Sequence, residues 1–170
     1  MSNKLIWLLR HARADSGDGS MDDIDRPLSH AGRQQAMRLG EWMQQHDLRP
    51  TVLISSPAVR ARQTTELICR PLGFDMNNVY FDPGLYLASR KNLVEIIAAQ
   101  SLSEGSIMLV GHNPGLEELL TWLCHEPLPR TEDGKLLTTA NLARIQLDKT
   151  GKLAEGNGKL VELTRANELA

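Results

Sequence analysis

The stretch Ser106-Ile107-Met108-Leu109-Val110-Gly111-His112-Asn113-Pro114-Gly115 decides the fold. The unbroken apolar run Ile107 to Val110, closed by Gly111, fits a strand buried on both faces. Beyond Pro114 the period changes. Leu116, Leu119, Leu120 and Leu123 fall on one stripe, which predicts a helix over 114–124. A buried strand feeding directly into an amphipathic helix is the repeating unit of an α/β protein. The same alternation extends in both directions. Residues 4–9, 51–55 and, more weakly, Val79–Phe81 read as strands. A helix over 29–46 carries Ala36, Leu39, Gly40 and Met43 on one face, with Ser29 as its N-cap. Pro57 opens a second helix that runs to about Arg70 and ends near Pro71-Leu72-Gly73. A helix over 89–100 presents Leu93, Ile96 and Ile97, and Asp82-Pro83-Gly84 is a turn. Two closing strands, 141–148 and 159–164, joined through the glycine-containing segment 149–158, pair as antiparallel neighbours. The expected architecture is a three-layer α/β sandwich, a mostly parallel central sheet with helices on both faces.

At 170 residues the chain is read as one domain spanning 1–170, large enough to bury a core without disulfides or metals. Nineteen basic against 21 acidic residues, with aromatics at only 4%, argue against a nucleic-acid binder. The apolar run 5–9 is too short to span a membrane or form a signal peptide, so no membrane partner and a cytoplasmic location are expected. Cys69 and Cys124 read as small buried side chains on helices.

In α/β sheets ligands sit beyond the carboxyl ends of the strands. There the sequence places Arg10-His11, then Ser56 with Arg60 in the first turn of the following helix, then His112-Asn113. Two arginines and two histidines meeting on one sheet edge suit an oxyanion. Guanidinium forks match phosphate or carboxylate, helix N-termini add N–H groups, and histidine serves as nucleophile, acid, base or donor. Zinc is disfavoured, because no His-x-x-x-His or Cys-x-x-Cys pair accompanies the histidines.

Four segments resemble, in order, the signatures of the histidine phosphatase (phosphoglycerate mutase-like) superfamily. They are Leu8-Leu9-Arg10-His11-Ala12, the run from Arg26-Pro27-Leu28-Ser29 to Gln35-Ala36, the run from Ser56-Pro57 through Arg60-Ala61 to Gln63-Thr64, and Val110-Gly111-His112-Asn113-Pro114. Without room for a cap domain, the chain is most similar to the SixA-type phosphohistidine phosphatases, and Leu137-Thr138-Thr139-Ala140 is similar too. The resemblance implies a phosphoglycerate mutase-like fold without a cap and a hydrolase needing neither metal nor cofactor. It makes His11 the nucleophile that forms a phosphohistidine intermediate. Arg10, Arg60 and His112 then line the phosphate pocket, with His112 protonated by the phosphate's charge, and Ser56, Asn113 and Arg26 are further substrate-binding candidates.

One departure bears on the substrate. Many members carry an acid after the third strand to protonate an alcohol leaving group, and here Gly84 takes its place. Asp82 is either a surrogate acid or a turn former. A phosphorylated imidazole needs such a proton less than an alkoxide does, because its ring can already be protonated. The expected substrate is therefore phosphohistidine on a protein partner. A small phosphorylated metabolite, and a non-catalytic phosphate-binding module, stay open as alternatives. The acidic segment 15–25 lacks the ligand pattern of a calcium loop and reads either as a mobile surface loop or as a pocket rim. Arg26 beside it faces the phosphate, a substrate carboxylate, or a neighbouring aspartate.

Overall fold

The structure, a computed structural model, describes residues 4–101 and 104–169. Among them six strands form one sheet in the order β3-β2-β4-β1-β5-β6. They are β1 Lys4–Arg10, β2 Val52–Ser55, β3 Val79–Phe81, β4 Gly105–Gly111, β5 Asn141–Leu147 and β6 Gly158–Arg165. The first four run parallel, β5 is antiparallel to β1, and β6 is antiparallel to β5. The helices are α1 His30–Gln45, α2 Val59–Leu72, α3 Arg90–Ala98 and α4 Gly115–Leu123.

Side-chain alternation along the central strands builds two cores. Ile6, Leu8, Ile107 and Leu109 pack with Leu93 and Ile97 of α3 and Leu116, Leu120 and Leu123 of α4. Trp7, Leu9, Met108 and Val110 face the other way, onto Ala36, Leu39 and Met43 of α1 and Ala61 and Ile68 of α2. Both faces of β1 and β4 are therefore covered, which explains why their sequences are apolar without interruption. Gly40 belongs to the α1 stripe because a Cβ there would stand 2.9 Å from the Ile68 Cα, so the two helices meet almost backbone to backbone.

Ser29 caps α1 as read from the sequence, its Oγ accepting from the Gly32 N–H at 3.0 Å. The start of α2 differs. Pro57 lies two residues outside the helix and Ala58 is the N-cap, because Ser56 Oγ accepts from the Ala58 N–H and holds residues 56–58 in a tight turn. The helix also continues through Pro71, placed in the last turn where one missing hydrogen bond is tolerable, and stops at Gly73 in the left-handed region (φ 62°).

The topology brings three carboxyl ends to one edge. Arg10 is in register with Gly111, and Ser55 with Val110. Beyond the strands the backbone remains tied, with His11 N–H donating to Gly111 O at 3.1 Å and Ser56 N–H to Val110 O at 2.9 Å. The segment after α4 returns to the same edge. The Ala140 N–H, on a residue with φ of 56°, forks to the carbonyls of Arg10 and His11, both at 3.1 Å.

Candidate active site

Arg10, His11, Arg60 and His112, carried by three different strand–helix junctions, come together at this edge. His11 and His112 are 8% and 4% exposed, with ring centroids 5.1 Å apart. His11 Nδ1 lies 2.7 Å from its neighbour's carbonyl, Ala12 O. A carbonyl only accepts, so Nδ1 carries the proton and Nε2 presents its lone pair. His112 holds the opposite tautomer. The Arg60 guanidinium, which only donates, approaches Nδ1 at 3.4 Å, and Nε2–H donates to Ser56 Oγ at 2.8 Å.

Burial, together with the neighbouring arginines, lowers His11 to about 4. Burial, then the other imidazole and Arg60, lowers His112 to about 3. Both rings are neutral at pH 7. His112 is neutral first because it is buried and then because His11 and Arg60 lie beside it. A doubly negative phosphoryl group beside the ring would favour its protonated form.

The arginines are held from behind. Arg10 donates through one terminal nitrogen to Leu137 O at 3.0 Å, and Asn113 Nδ2 donates to the same carbonyl at 3.0 Å. Glu117 accepts from the Leu137 N–H at 2.8 Å, so one residue is gripped at both its N–H and its carbonyl. Arg60, 3% exposed, donates to Asp23 O at 2.6 Å and to Asp23 Oδ2 at 3.0 Å. The Nε atoms of Arg10 and Arg60 and the Asn113 Oδ1 are buried without a hydrogen-bond partner. A buried unpaired donor costs about 1–3 kcal/mol, which an anion accepting from it would recover.

Other expected residues are placed differently. Arg26 takes the ion-pair alternative, donating to Asp23 Oδ1 from Nε at 3.0 Å and to Asp15 O at 2.9 Å. Asp82 caps a short turn, its Oδ1 accepting from Gly84 N–H at 2.8 Å.

Asp23 and Tyr86 have no individual role in the sequence reading, although Asp23 lies in the acidic segment 15–25 and Tyr86 two residues beyond Gly84. Asp23, three residues before Arg26, brings the acidic segment to the pocket, so that segment rims the site. Its Oδ2 accepts from Tyr86 Oη at 2.5 Å as well as from Arg60. Those donors, the tyrosine first, hold the Asp23 carboxyl well below the usual carboxylate range. The Tyr86 ring meets His112 edge-on at 5.5 Å, and the Arg60 guanidinium lies over its face. The polar motif residues also acquire roles. Thr64 Oγ1 accepts from Ala12 N–H at 3.0 Å and donates to Arg60 O at 2.7 Å. Gln63 accepts from Leu28 N–H, and Gln35 from Arg13 N–H. Among the described residues no group of three or more His, Cys, Asp or Glu could hold a metal ion.

Residues 6–86, which include His11, Asp23, Arg60 and Tyr86, match the model of the histidine phosphatase superfamily, branch 1. An uncharacterised chloroplastic protein of Arabidopsis thaliana is 34% identical over 154 residues, 86% of this chain and 67% of that protein. The chain belongs to the histidine phosphatase superfamily. This histidine phosphatase is also 25% identical over 151 residues to the phosphohistidine phosphatase SixA of Escherichia coli, covering 86% of the chain and 87% of SixA. The structure of the protein histidine phosphatase SixA complexed with tungstate shares its fold, with a TM-score of 0.78 at 21% identity over 96% and 97% of the two chains. No helix among the described residues is long and apolar enough to cross a membrane.

Proposed function

We propose that this phosphatase hydrolyses protein phosphohistidine in the cytoplasm through a covalent intermediate on His11. The observation that carries the proposal is the His11 tautomer. With Nδ1–H committed to Ala12 O, a neutral ring aims its free nitrogen away from the backbone that anchors it. In the first step His11 Nε2 attacks phosphorus, the bond to the substrate's imidazole nitrogen breaks, and its electron pair stays on that ring. A ring already protonated on its other nitrogen leaves as neutral imidazole. Water then attacks phosphorus, the His11–phosphorus bond breaks, and phosphate departs with the water's oxygen. Arg10 and Arg60 stabilise charge on the equatorial oxygens, and their unpaired Nε donors suit that task. Phosphate turns His112 into a second donor by favouring its protonated form. Ser56 holds the His112 ring, and Asn113 fixes the carbonyl that braces Arg10.

The substrate class is supported by Gly84 standing where an acid would serve an alcohol leaving group, and by Asp82 being engaged in its own turn. It is supported further by the similarity to SixA of Escherichia coli, a phosphohistidine phosphatase by name. The test compares turnover of a phosphohistidine protein with a panel of phosphomonoesters, with His11→Ala as control. We expect faster turnover of phosphohistidine, together with an acid-labile phosphoryl label on the wild type that His11→Ala lacks. Equal or faster hydrolysis of sugar phosphates or phosphoglycerate overturns the substrate assignment. Phosphate binding without label or turnover overturns the catalytic one.

A further inference from the structure

In an in-line displacement the entering and leaving groups lie on opposite sides of phosphorus. His11 enters from the buried side, so the departing group faces the mouth of the pocket. Asp23, its side chain 47% exposed, and Tyr86 stand at that mouth. The Asp23 carboxylate cannot donate, so the short contact of 2.5 Å fixes the phenol proton on the line toward Oδ2. Tyr86 Oη then has only lone pairs left for anything else that reaches it. The same contact raises the phenol's pKa, which makes Tyr86 a poor source of a proton. The ring is held independently of its hydroxyl, by His112 at its edge and Arg60 over its face.

We propose that Tyr86, its proton held by Asp23, is a specificity-determining residue that accepts a hydrogen bond from the N–H of the departing imidazole. An alkoxide leaving group has no proton to offer and needs one supplied, so it gains nothing from this acceptor. A phosphoimidazole protonated on its second ring nitrogen carries that N–H throughout the step, and the proton stays on the ring as the nitrogen–phosphorus bond breaks. The proposal rests on the phosphohistidine reading above and names the group that enforces it.

The experiment measures kcat/KM for a phosphohistidine peptide and for an aryl phosphate in wild type, Tyr86→Phe and Asp23→Ala. Tyr86→Phe removes the acceptor and keeps the ring. It should lower the ratio of phosphohistidine to aryl phosphate activity by about tenfold or more, the scale of one hydrogen bond to a charged group. Asp23→Ala keeps the backbone carbonyl that binds Arg60 and removes both side-chain acceptors, freeing the phenol to donate elsewhere, so the ratio should fall there too. If Tyr86 is instead a general acid, Tyr86→Phe raises the ratio, and the proposal is overturned. An equal fall on both substrates also overturns it, by reducing Tyr86 to a wall of the pocket, while leaving the phosphohistidine reading intact. A wild type that cleaves the aryl phosphate but not phosphohistidine overturns the reading itself.

Discussion

Two neutral histidines buried among arginines make the protein sensitive to mild acid. In the unfolded chain each ring takes up a proton near its ordinary value of 6.5, but in the fold His11 waits until about 4 and His112 until about 3. Between these values the unfolded state binds more protons than the native state, so stability falls as pH falls through that window. At pH 4.5 each imidazole costs about 2.5 kcal/mol relative to pH 7, and the pair about 5 kcal/mol. That is comparable to the whole stability of a marginal domain, about 5–15 kcal/mol. The Asp23 carboxyl is also lowered, by its hydrogen bond from Tyr86 first, and its contribution is lost only as pH falls below about 4, the unperturbed value. Urea unfolding at pH 7 and pH 4.5 isolates the histidines when the wild type is compared with His11→Asn/His112→Asn. The wild type should lose about 5 kcal/mol and the double variant less than half of that. A double variant that loses as much as the wild type refutes the argument, because the acid sensitivity then comes from other groups.

Arg60→Ala removes a buried donor from the proposed phosphate pocket and should lower kcat by about 10²–10³-fold in steady-state assays. Thr64→Val leaves the Ala12 N–H buried without a partner, at a cost of about 1–3 kcal/mol measurable by chemical denaturation. Gly115→Ala places a Cβ 2.1 Å from Ala88 O, where α4 meets the segment that follows Tyr86. It should destabilise by about 1–3 kcal/mol or more and lower Tm by several degrees. If His11 must be neutral to react, kcat/KM rises with pH through about 4 and shows no rising limb near 6.5, and a rising limb near 6.5 in a pH–rate profile would contradict this.

The elements of the fold are legible because both faces of β1 and β4 are covered and the helices are amphipathic, so each strand and helix announces itself by its own period. The chemistry at the strand ends is legible for a related reason, since polar residues directly after apolar runs have few other places to go. What the sequence leaves ambiguous is side-chain pairing across loops. Arg26 is placed by Asp23, and Asp23 by Arg60 and Tyr86 more than 35 residues away, and no period or cap links those positions. The start of α2 lies two residues beyond Pro57 because proline at a helix N-terminus is a statistical preference, whereas Ser56 Oγ accepting from Ala58 N–H is a local bond that moves the boundary.

The position of the two histidines, each one peptide beyond a neighbouring parallel strand, has a consequence of its own. The rings are 5.1 Å apart, close to the roughly 4.8 Å at which any two hydrogen-bonded strands lie. The spacing between the proposed attacking group and its partner is thus a lattice constant of the sheet, inherited from the backbone ladder. Single substitutions can alter what the rings do but hardly how far apart they stand. A one-residue deletion in either strand would turn one imidazole to the opposite face and dismantle the pair at a stroke.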